Sequence, residues 1–545
     1  MPTSRRDVLR TGLGLAAVGA LGTPLLAACG GGDDAGGGSS NAGVALPDHI
    51  PFAGPTPDLP AEGDVRPGYY TYPKELVRSV SGTPLAGGAV TGMTMTFLTI
   101  PPPRGENTAW AEVEKRLGGA LEISIVPASD YDAKFNTTVA SGDLPDMILY
   151  SAGLNNVPQF AEATCADLGE YLAGSKVAEY KNLAAIPTVA WQNCVIGGKL
   201  RALPITRELT GGSGFVNMRF FKELGITDHT QLAGSADEFL EIAKQLTNPS
   251  KDRYALVKYA STTPFAHIFR APNGWRLDEA TGKLTAARET EEYKAAIAFL
   301  RKLHDAGVFY PGSEGFTGVQ RGNAFTAGQV AMIYDGFPAY AGHWTNLRAQ
   351  NPENDPRPFV PFGHDGGPGV CWQDNVMLAY TFVKKADPDK VREVLRVADF
   401  LAAPFGTEEY QLLKYGIEGT HFTKDENGNP VANDLGTREM TVPWDKFAAN
   451  QPVVYNATGG KGYTDYAHDA LSKLLPMALP DPTAGYRSET SDRDGTKLAQ
   501  PFNDLVKDIV NGRAEVSEMD AALDTWRKNG GDKIRGEFEE AIAGK

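Results

Sequence analysis

The sequence predicts an α/β protein built around a mainly parallel, doubly wound sheet. Between Gly92 and Tyr150, strand-like and helix-like patterns alternate in the order β-α-β-α-β, which is typical of parallel sheets with helices on their faces. Further along, helical patterns dominate, with strand-like runs at 329–334 and 376–383. The length of 545 residues exceeds the usual range of one domain, so we expect at least two compact units.

The first run shows how the residue pattern of a strand differs from that of a helix. Met93, Met95 and Phe97 alternate with their neighbours, as residues of a half-buried strand do. Trp110 and Leu117 lie on one face of a helix instead. The pattern predicts strands over 92–98, 121–126 and 147–150, and helices over 110–117 and 131–141, the second closed by Gly142.

The later helices carry recognisable start and stop signals. Ser235 and Glu238 have the spacing of a capping box before an apolar stripe that runs to Leu246. Asp387-Pro388 begins another helix, which ends before Pro404. Further helices are predicted over 293–304 and between 502 and 543.

The N-terminus is typical of an export signal. Arg5 and Arg6 precede an apolar, small-residue stretch from Thr11 to Leu26, which is short for a membrane span of about 20 residues. The twin arginine resembles the Tat motif, and the sequence ending in Cys29 resembles a lipobox. We therefore expect residues 1–28 to be a Tat-type lipoprotein signal peptide, and 29–90 to be a lipidated Cys29 followed by a flexible tether rich in Gly and Pro.

The net charge and the number of cysteines exclude two classes of protein, the nucleic-acid binders and the disulfide-built scaffolds. A formal net charge of −15 is unsuited to nucleic acid, which needs a basic face. Four cysteines in 545 residues exclude a disulfide-built scaffold. With Cys29 carrying lipid, an odd number remains, so at most one bridge can form. Either Cys165 pairs with Cys194, or these two and Cys371 are buried thiols.

The motifs of common catalytic and metal sites are missing. The eight histidines are scattered without metal-ligand spacing. Asp425 begins a run like a calcium loop, but Pro430 stands where that loop needs Gly. No nucleophile elbow, zinc-binding motif or phosphate loop occurs. The sequence therefore predicts no metal, no cofactor and no enzyme.

Several segments together resemble the family 1 extracellular solute-binding proteins of ABC sugar importers, especially their large lipoprotein subgroup. Each segment is weak alone, but they occur in family order between about 92 and 540. The segments are Ala140–Asp146 (ASGDLPD), Gly197–Pro204 (GGKLRALP), Phe215–Ile226 (FVNMRFFKELGI), the helix at Ala236–Leu246, Pro272–Trp275 (PNGW), Phe325–Met332 (FTAGQVAM) and Tyr415–Phe422 (YGIEGTHF).

The resemblance implies a periplasmic-binding-protein-like class II fold with two doubly wound α/β lobes and a ligand cleft between them. Lobe 1 would comprise 91–208 and 362–405, and lobe 2 would comprise 209–361 and 406–545. It also implies a monomer that is lipid-anchored on the extracellular face of the cytoplasmic membrane. Such a protein captures a carbohydrate, an oligosaccharide in the first instance, by lobe closure and delivers it to the transmembrane subunits of an ABC permease.

Candidate ligand-binding residues lie near predicted strand ends. Sugars present hydroxyls and apolar C–H faces, which suit charged or amide side chains and flat aromatic rings. Arg207 could hold a uronate or phosphate, or pair with Glu208, whereas Trp344 and Trp275 could equally pack in a core. The candidates are Tyr334, Asp335, Trp344, Trp372, Asp374, Arg207, Trp275, Asp143, Trp191 and Glu418.

Two alternative functions stay open at this stage. A surface glycan hydrolase or lyase needs only two carboxylates about 5–10 Å apart, which 67 acidic residues can supply. The same binding fold could also take a peptide or a non-sugar anionic solute, and Arg207 is the residue that makes an acidic ligand conceivable.

Overall fold

The structure is a computed structural model that describes residues 43–150, 157–210, 212–258, 263–374 and 376–544. The chain divides after Ser39, and the described residues all belong to the unit Ser40–Lys545. The strands of the described residues are β1 (Ala89–Thr96), β2 (Ala120–Pro127), β3 (Met147–Leu149), β4 (Val195–Ile196), β5 (Lys199–Leu200), β6 (Ala202–Thr206), β7 (Gly212–Asn217), β8 (Tyr254–Leu256), β9 (Trp275–Asp278), β10 (Lys283–Ala286), β11 (Val330–Gly336), β12 (Pro356–Phe359), β13 (Cys371–Trp372), β14 (Met377–Val383), β15 (Phe422–Lys424), β16 (Pro430–Ala432) and β17 (Ala478–Leu479).

Helices connect and cover these strands. They are α1 (Thr108–Leu117), α2 (Tyr131–Ser141), α3 (Val157–Thr164), α4 (Gly169–Leu172), α5 (Lys181–Ala184), α6 (Thr188–Gln192), α7 (Met218–Lys222), α8 (Ala236–Leu246), α9 (Thr263–Ile268), α10 (Glu291–Asp305), α11 (Gly318–Thr326), α12 (Tyr340–Gln350), α13 (Pro388–Leu401), α14 (Glu408–Tyr415), α15 (Asp434–Glu439), α16 (Gly460–Leu474), α17 (Glu489–Val510), α18 (Met519–Trp526) and α19 (Asp532–Ala543).

Two sheets carry the architecture. The first has the order β2-β1-β3-β14-β6, in which β1 pairs in parallel with β2 and β3, while β14 runs antiparallel to β3 and β6. The second has the order β12-β7-β11-β8, with β7 antiparallel to its neighbours. The predicted α/β class is confirmed, and each sheet contains one strand that runs against the parallel direction.

Local sequence explains the helix boundaries. The Ser235 side chain accepts the backbone N–H of Glu238 at the start of α8, and Glu238 in turn accepts the N–H of Gly234. Pro388 occupies the first turn of α13, where a missing N–H costs nothing. The strand and helix pattern predicted between 92 and 150 is therefore confirmed, and so are the helices at α8, α10 and α13.

Each sheet has its own apolar core. One cluster joins the first sheet to α1, α2 and α13, and a second joins α8, α10 and α17 to the second sheet. A third cluster packs α12 and α16 against the other side of the second sheet. This is the two-body α/β arrangement that the resemblance implies.

The segment before β1 differs from the predicted tether. Residues 43–88, called the strap here, lack regular structure, yet they pack on the folded body: Tyr69 and Tyr72 are buried, and Leu85 is 3% exposed. Backbone hydrogen bonds join the strap to other segments, for example from Ile50 to the Ala184 carbonyl oxygen at 2.8 Å. The prediction was wrong for these residues because strap aromatics bury against partners that are distant in sequence.

The segment 406–449 also contributes to the first core, although the predicted lobe division places it in lobe 2. Trp444 packs edge-on against Trp110 with the ring centroids 5.3 Å apart. Phe447 covers Gly92, where a Cβ atom would lie only 2.7 Å from its ring. The lobe boundaries themselves stay a prediction.

The three described cysteines are buried thiols, which was one of the two alternatives. Cys165, Cys194 and Cys371 are all free. Burial raises the pKa of Cys165 to about 11 and that of Cys371 to about 12, so both are neutral at pH 7.

Candidate ligand cleft

Segments that pass between the two sheets lie side by side. Asp374 donates its backbone N–H to the carbonyl oxygen of Leu209 at 2.6 Å, and Ala449 donates to that of Pro204 at 3.2 Å. Because the chain passes repeatedly between the two bodies here, rotation of one body against the other must bend these segments. The crossings are residues 207–210 after β6, residues 360–374 after β12, and residues 449–456 before α16.

The carboxyl ends of strands from both sheets meet the crossings. Strand β6 ends at Thr206, next to Arg207, and β11 ends with Tyr334, Asp335 and Gly336. In doubly wound sheets, ligands bind in the crevice beyond these strand ends. The position predicted for the cleft therefore coincides with the crossings.

Three predicted residues come together at this place. Arg207 Nη1 lies 3.6 Å from Asp374 Oδ2, with the two side chains 18% and 45% exposed. Burial is the main cause that raises the pKa of Tyr334, and Asp374 adds to the rise while Arg207 opposes it. The group presents a guanidinium, a carboxylate and a neutral phenol, each able to bond a polar ligand.

A buried histidine stands between two of the predicted aromatics. The His267 ring lies 5.2 Å from that of Trp372 and 5.9 Å from that of Tyr334, both edge-on. Burial lowers the pKa of His267 to about 3, so the ring is neutral at pH 7. Trp372 is fixed by its indole N–H, which donates to the Ala271 carbonyl oxygen at 2.8 Å. Sequence reasoning missed His267, whose position in a short helix gives no signal.

A small niche opens beside this histidine. It is partly open to solvent and is lined by His267, Tyr334, Ser213 and Cys371 among others. Within the described part of the chain, His267 Nε2 is buried without a hydrogen-bond partner. The niche can therefore receive a polar group the size of a hydroxyl.

Gly212 makes room for the Tyr334 side chain. A Cβ atom on Gly212 would lie 2.5 Å from Tyr334 Oη, a distance that a real side chain cannot adopt. Gly212 stands on β7, opposite the last residues of β11. A larger residue there would displace the phenol from the crossings.

A second aromatic pair, also missed from sequence, lies on the first sheet. Tyr150 and Tyr380 stack in parallel, with the ring centroids 4.8 Å apart, where β3 ends beside β14. Arg487, which precedes α17, lies close enough to lower the pKa of both phenols, although burial raises each overall. The only sequence signal was a tyrosine at a strand end, which many non-functional strands share.

Asp335 and Trp344 serve the second body instead. Asp335 Oδ2 lies 3.3 Å from His343 Nε2, and Oδ1 accepts the N–H of Gly336, so the carboxylate organises the strand end. Trp344 is 6% exposed and packs against Tyr463 and other rings. For Trp344, the core alternative is correct.

Four other candidates lie apart from this group. Trp191 is fully buried in the first core, so it cannot touch a solute in this structure. Trp275 packs against Trp526 in the C-terminal helices. Asp143 is an exposed residue after α2, and exposed Glu418 pairs with a lysine of the β15–β16 hairpin. Burial and surface pairing, which sequence spacing does not encode, separate these residues from Tyr334.

The remaining sequence predictions concern the N-terminus, metal binding and membrane-spanning helices. Arg5, Arg6 and Cys29 lie outside the described residues. Among the described residues, no His, Cys, Asp and Glu side chains group so that they could hold a metal ion. The same part of the chain contains no helix that is both long and apolar enough to cross a membrane.

Two α/β bodies joined by crossings, with polar and aromatic groups at the strand ends, define the class of two-lobed binding proteins. The profile of the bacterial extracellular solute-binding proteins matches residues 108–410, and the chain belongs to that family. This confirms the resemblance that the motifs indicate.

The chain is similar to two proteins of Bacillus subtilis (strain 168). It is 23% identical to the polygalacturonan/rhamnogalacturonan-binding protein YtcQ over 473 residues, covering 81% of this chain and 89% of that protein. It is 22% identical to lipoprotein LipO, and the match covers 80% of this chain and 89% of that protein.

Among solved structures, the N-glycan transport solute binding protein NgtS of Streptococcus pneumoniae superposes with a TM-score of 0.62 at 16% identity, covering 84% of this chain and 98% of that chain. The last similarity shows the fold.

Proposed function

We propose that this protein captures a carbohydrate, an oligosaccharide in the first instance, by closing two lobes around it, and delivers it to an ABC-type permease. The observation that carries the proposal is the group at the crossings, where Tyr334 at the end of β11 lies close to the Arg207–Asp374 pair and His267 packs between Tyr334 and Trp372. The carbohydrate class is supported by YtcQ and NgtS, whose names state glycan ligands.

The side chains at the crossings match what a sugar offers. The half-buried ring of Trp372 presents an apolar surface to C–H groups. Arg207 and Asp374 together offer charge-assisted hydrogen bonds to hydroxyls. Neutral His267 adds a hydrogen-bonding ring nitrogen without adding a charge. We expect one hydroxyl or hydroxymethyl group of the ligand to enter the niche beside His267.

The proposal places the protein outside the cytoplasmic membrane, anchored through lipid on Cys29. The Tat-like Arg5-Arg6 signal and the lipobox-like residues before Cys29 support export and lipidation. The similarity to lipoprotein LipO agrees with an anchored binding protein. A lipid anchor keeps the binding protein near its permease.

A binding role without catalysis is part of the same proposal. The family consists of solute-binding proteins, and of the two carboxyl groups at the crossings Asp374 is paired with Arg207 while that of Glu208 is buried. A glycosidase needs two carboxylates on opposite sides of a scissile bond. We therefore expect a bound glycan to leave the protein unchanged.

The test is a melting-temperature screen with defined glycans. Oligogalacturonides, rhamnogalacturonan fragments, N-glycans and milk oligosaccharides are incubated with the full chain, and hits are recovered for mass spectrometry. A ligand at one hundred times its Kd should stabilise the protein by about 2.7 kcal/mol, and the glycan should keep its mass. A screen in which no glycan raises the melting temperature refutes the carbohydrate class, and shortened products refute the binding role.

Two matched tryptophan variants localise the site. Trp372→Phe and Trp110→Phe each remove one indole N–H that donates to a carbonyl oxygen, at 2.8 Å and 2.9 Å. Trp110 lies in the first core, away from the crossings. Titration calorimetry with the glycan hit should show weaker binding for Trp372→Phe alone. Equal affinities for both variants would contradict a ligand site at the crossings.

A further inference from the structure

The strap joins both bodies and the crossings through one short stretch. We propose that its residues 65–72 hold the crossings in position and set the balance between closed and open lobes. The inference rests on the proposed lobe closure, but it concerns the protein without ligand. The contacts of this stretch fall into three sets.

The first set holds the strap to the body of the first sheet. The Tyr69 and Tyr72 rings pack on Phe405, with centroid distances of 4.7 and 5.4 Å. Further along, the Val77 backbone N–H donates to the Gly406 carbonyl oxygen at 3.2 Å. This side of the strap therefore moves with the first body.

The second set lies on the crossings themselves. Arg66, which is 6% exposed, donates from Nη2 to the Arg207 carbonyl oxygen at 3.1 Å. Its charge faces Glu208, a carboxylate that is 8% exposed and has one oxygen without a hydrogen-bond partner in the described residues. Val454 of another crossing exchanges backbone hydrogen bonds of 2.9 Å with the strap.

The third set reaches α16 in the body of the second sheet. Thr464 Oγ1 donates to the Tyr69 carbonyl oxygen at 2.8 Å, and Tyr70 Oη donates to Asp465 Oδ1 at 2.9 Å. The strap backbone comes so close at Gly68 that a Cβ atom there would lie 2.8 Å from the Thr464 methyl group. The fit is tight enough to need glycine.

These three sets have a mechanical consequence. If the bodies rotate apart about the crossings, the stretch cannot follow both of them, so one set of contacts has to break. Separating Arg66 from the crossing would break its hydrogen bond to the Arg207 carbonyl oxygen and would move the buried guanidinium away from the buried carboxyl group of Glu208, which is unfavourable. The contacts with α16 therefore yield first, and they are the ones that oppose separation of the two bodies.

The test measures the distance between the bodies in ligand-free protein. Spin labels at Lys134→Cys on α2 and Gln245→Cys on α8, both exposed, report that distance by double electron–electron resonance. The labelled chain is full-length and carries Cys29→Ser, and the three other thiols are buried and therefore protected.

Tyr70→Phe combined with Thr464→Val removes, at almost constant volume, the three side-chain hydrogen bonds between this stretch and α16, including the one that Lys461 Nζ donates to Tyr70 Oη at 3.1 Å. The ratio of long to short distances should rise at least about five-fold, since each hydrogen bond contributes about two- to ten-fold to an equilibrium. If the double variant is too unstable to label, Tyr70→Phe alone should show about a two-fold rise or more.

Ser79→Ala is the matched control. It removes two hydrogen bonds between the strap and the first body, from Ser79 Oγ to Glu409 at 2.9 Å and from the Asn182 amide to Ser79 Oγ at 3.0 Å, and it leaves residues 65–72 untouched. The control should keep the wild-type distance distribution. An unchanged distribution in the α16 variants, or an equal shift in the control, overturns the inference. Because no ligand is added, a failed glycan screen would not affect this result.

Discussion

Replacing Asp399 with Asn is expected to stabilise the protein above pH 7 and to leave it nearly unchanged at pH 4. Asp399 lies on α13, 6% exposed, and its Oδ1 accepts the backbone N–H groups of Asn182 and Leu183 at 2.7 and 2.9 Å. The Asn182 side-chain amide in turn donates to Ser79 of the strap, and the backbone carbonyl oxygen of Asn182 accepts from the Asn450 side chain of a crossing segment. The carboxyl therefore supports a junction of helix, strap and crossing.

The magnitude follows from the shifted pKa. Burial raises the pKa of Asp399 to about 7, although its two backbone hydrogen bonds work against the rise. In unfolded chains an Asp titrates near 3.9, so between about pH 4 and 7 the folded state holds a proton that the unfolded state has released. The free energy of unfolding consequently falls as pH rises, by about 1.4 kcal/mol per pH unit and about 4 kcal/mol in all. The amide introduced by Asp399→Asn carries no charge, so the variant loses this pH dependence.

Urea unfolding at pH 4 and pH 8 measures the difference directly. The stability gap between Asp399→Asn and wild type should grow by up to about 4 kcal/mol between the two pH values. Asp389→Asn, on the same helix with a side chain that is 99% exposed, should show no such change. If Asp399→Asn destabilises the protein equally at both pH values, the carboxyl is ionised throughout and the reasoning is refuted.

Two further substitutions test the architecture and the site. Glu439→Ala should lower the free energy of unfolding in urea by about 2–4 kcal/mol. The reason is that Glu439 is 3% exposed and its Oε2 accepts two backbone N–H groups at the start of α1. A decrease in the free energy of unfolding below about 0.5 kcal/mol would contradict this role. Gly212→Ala should displace Tyr334 and weaken glycan binding at least about ten-fold in titration calorimetry, equivalent to about 1.4 kcal/mol. Gly315→Ala, whose Cβ meets nothing within 4 Å, is the control, and equal affinities in both variants would exclude a role for the phenol.

The sequence was sufficient to predict those strands and helices whose signals lie within a few neighbouring residues. The alternation before Phe97, the cap at Ser235 and the Asp387-Pro388 start each act within a few residues, and the corresponding strand and helices form as predicted. The strap was not predictable in this way. Its Gly- and Pro-rich composition is typical of a linker, while its order comes from contacts such as Tyr69 with Phe405, which are hundreds of residues apart.

The candidate site was partly predictable for the same reason. Tyr334, Arg207 and Asp374 come together because strand ends and crossings coincide, and topology implies that coincidence. Trp191 could not be separated from Trp372 in sequence, because both are tryptophans near predicted strands and only burial distinguishes them. His267 gained its place through packing between two rings, a relation that no spacing rule expresses.

The central claim is that the two bodies close around a carbohydrate at the crossings. Small-angle X-ray scattering on the full chain, with and without a glycan identified by the melting-temperature screen, tests it most directly. The account predicts a smaller radius of gyration at saturating glycan, and Trp372→Phe should need a higher glycan concentration for the same decrease. A radius of gyration that stays constant when the glycan is demonstrably bound would contradict closure.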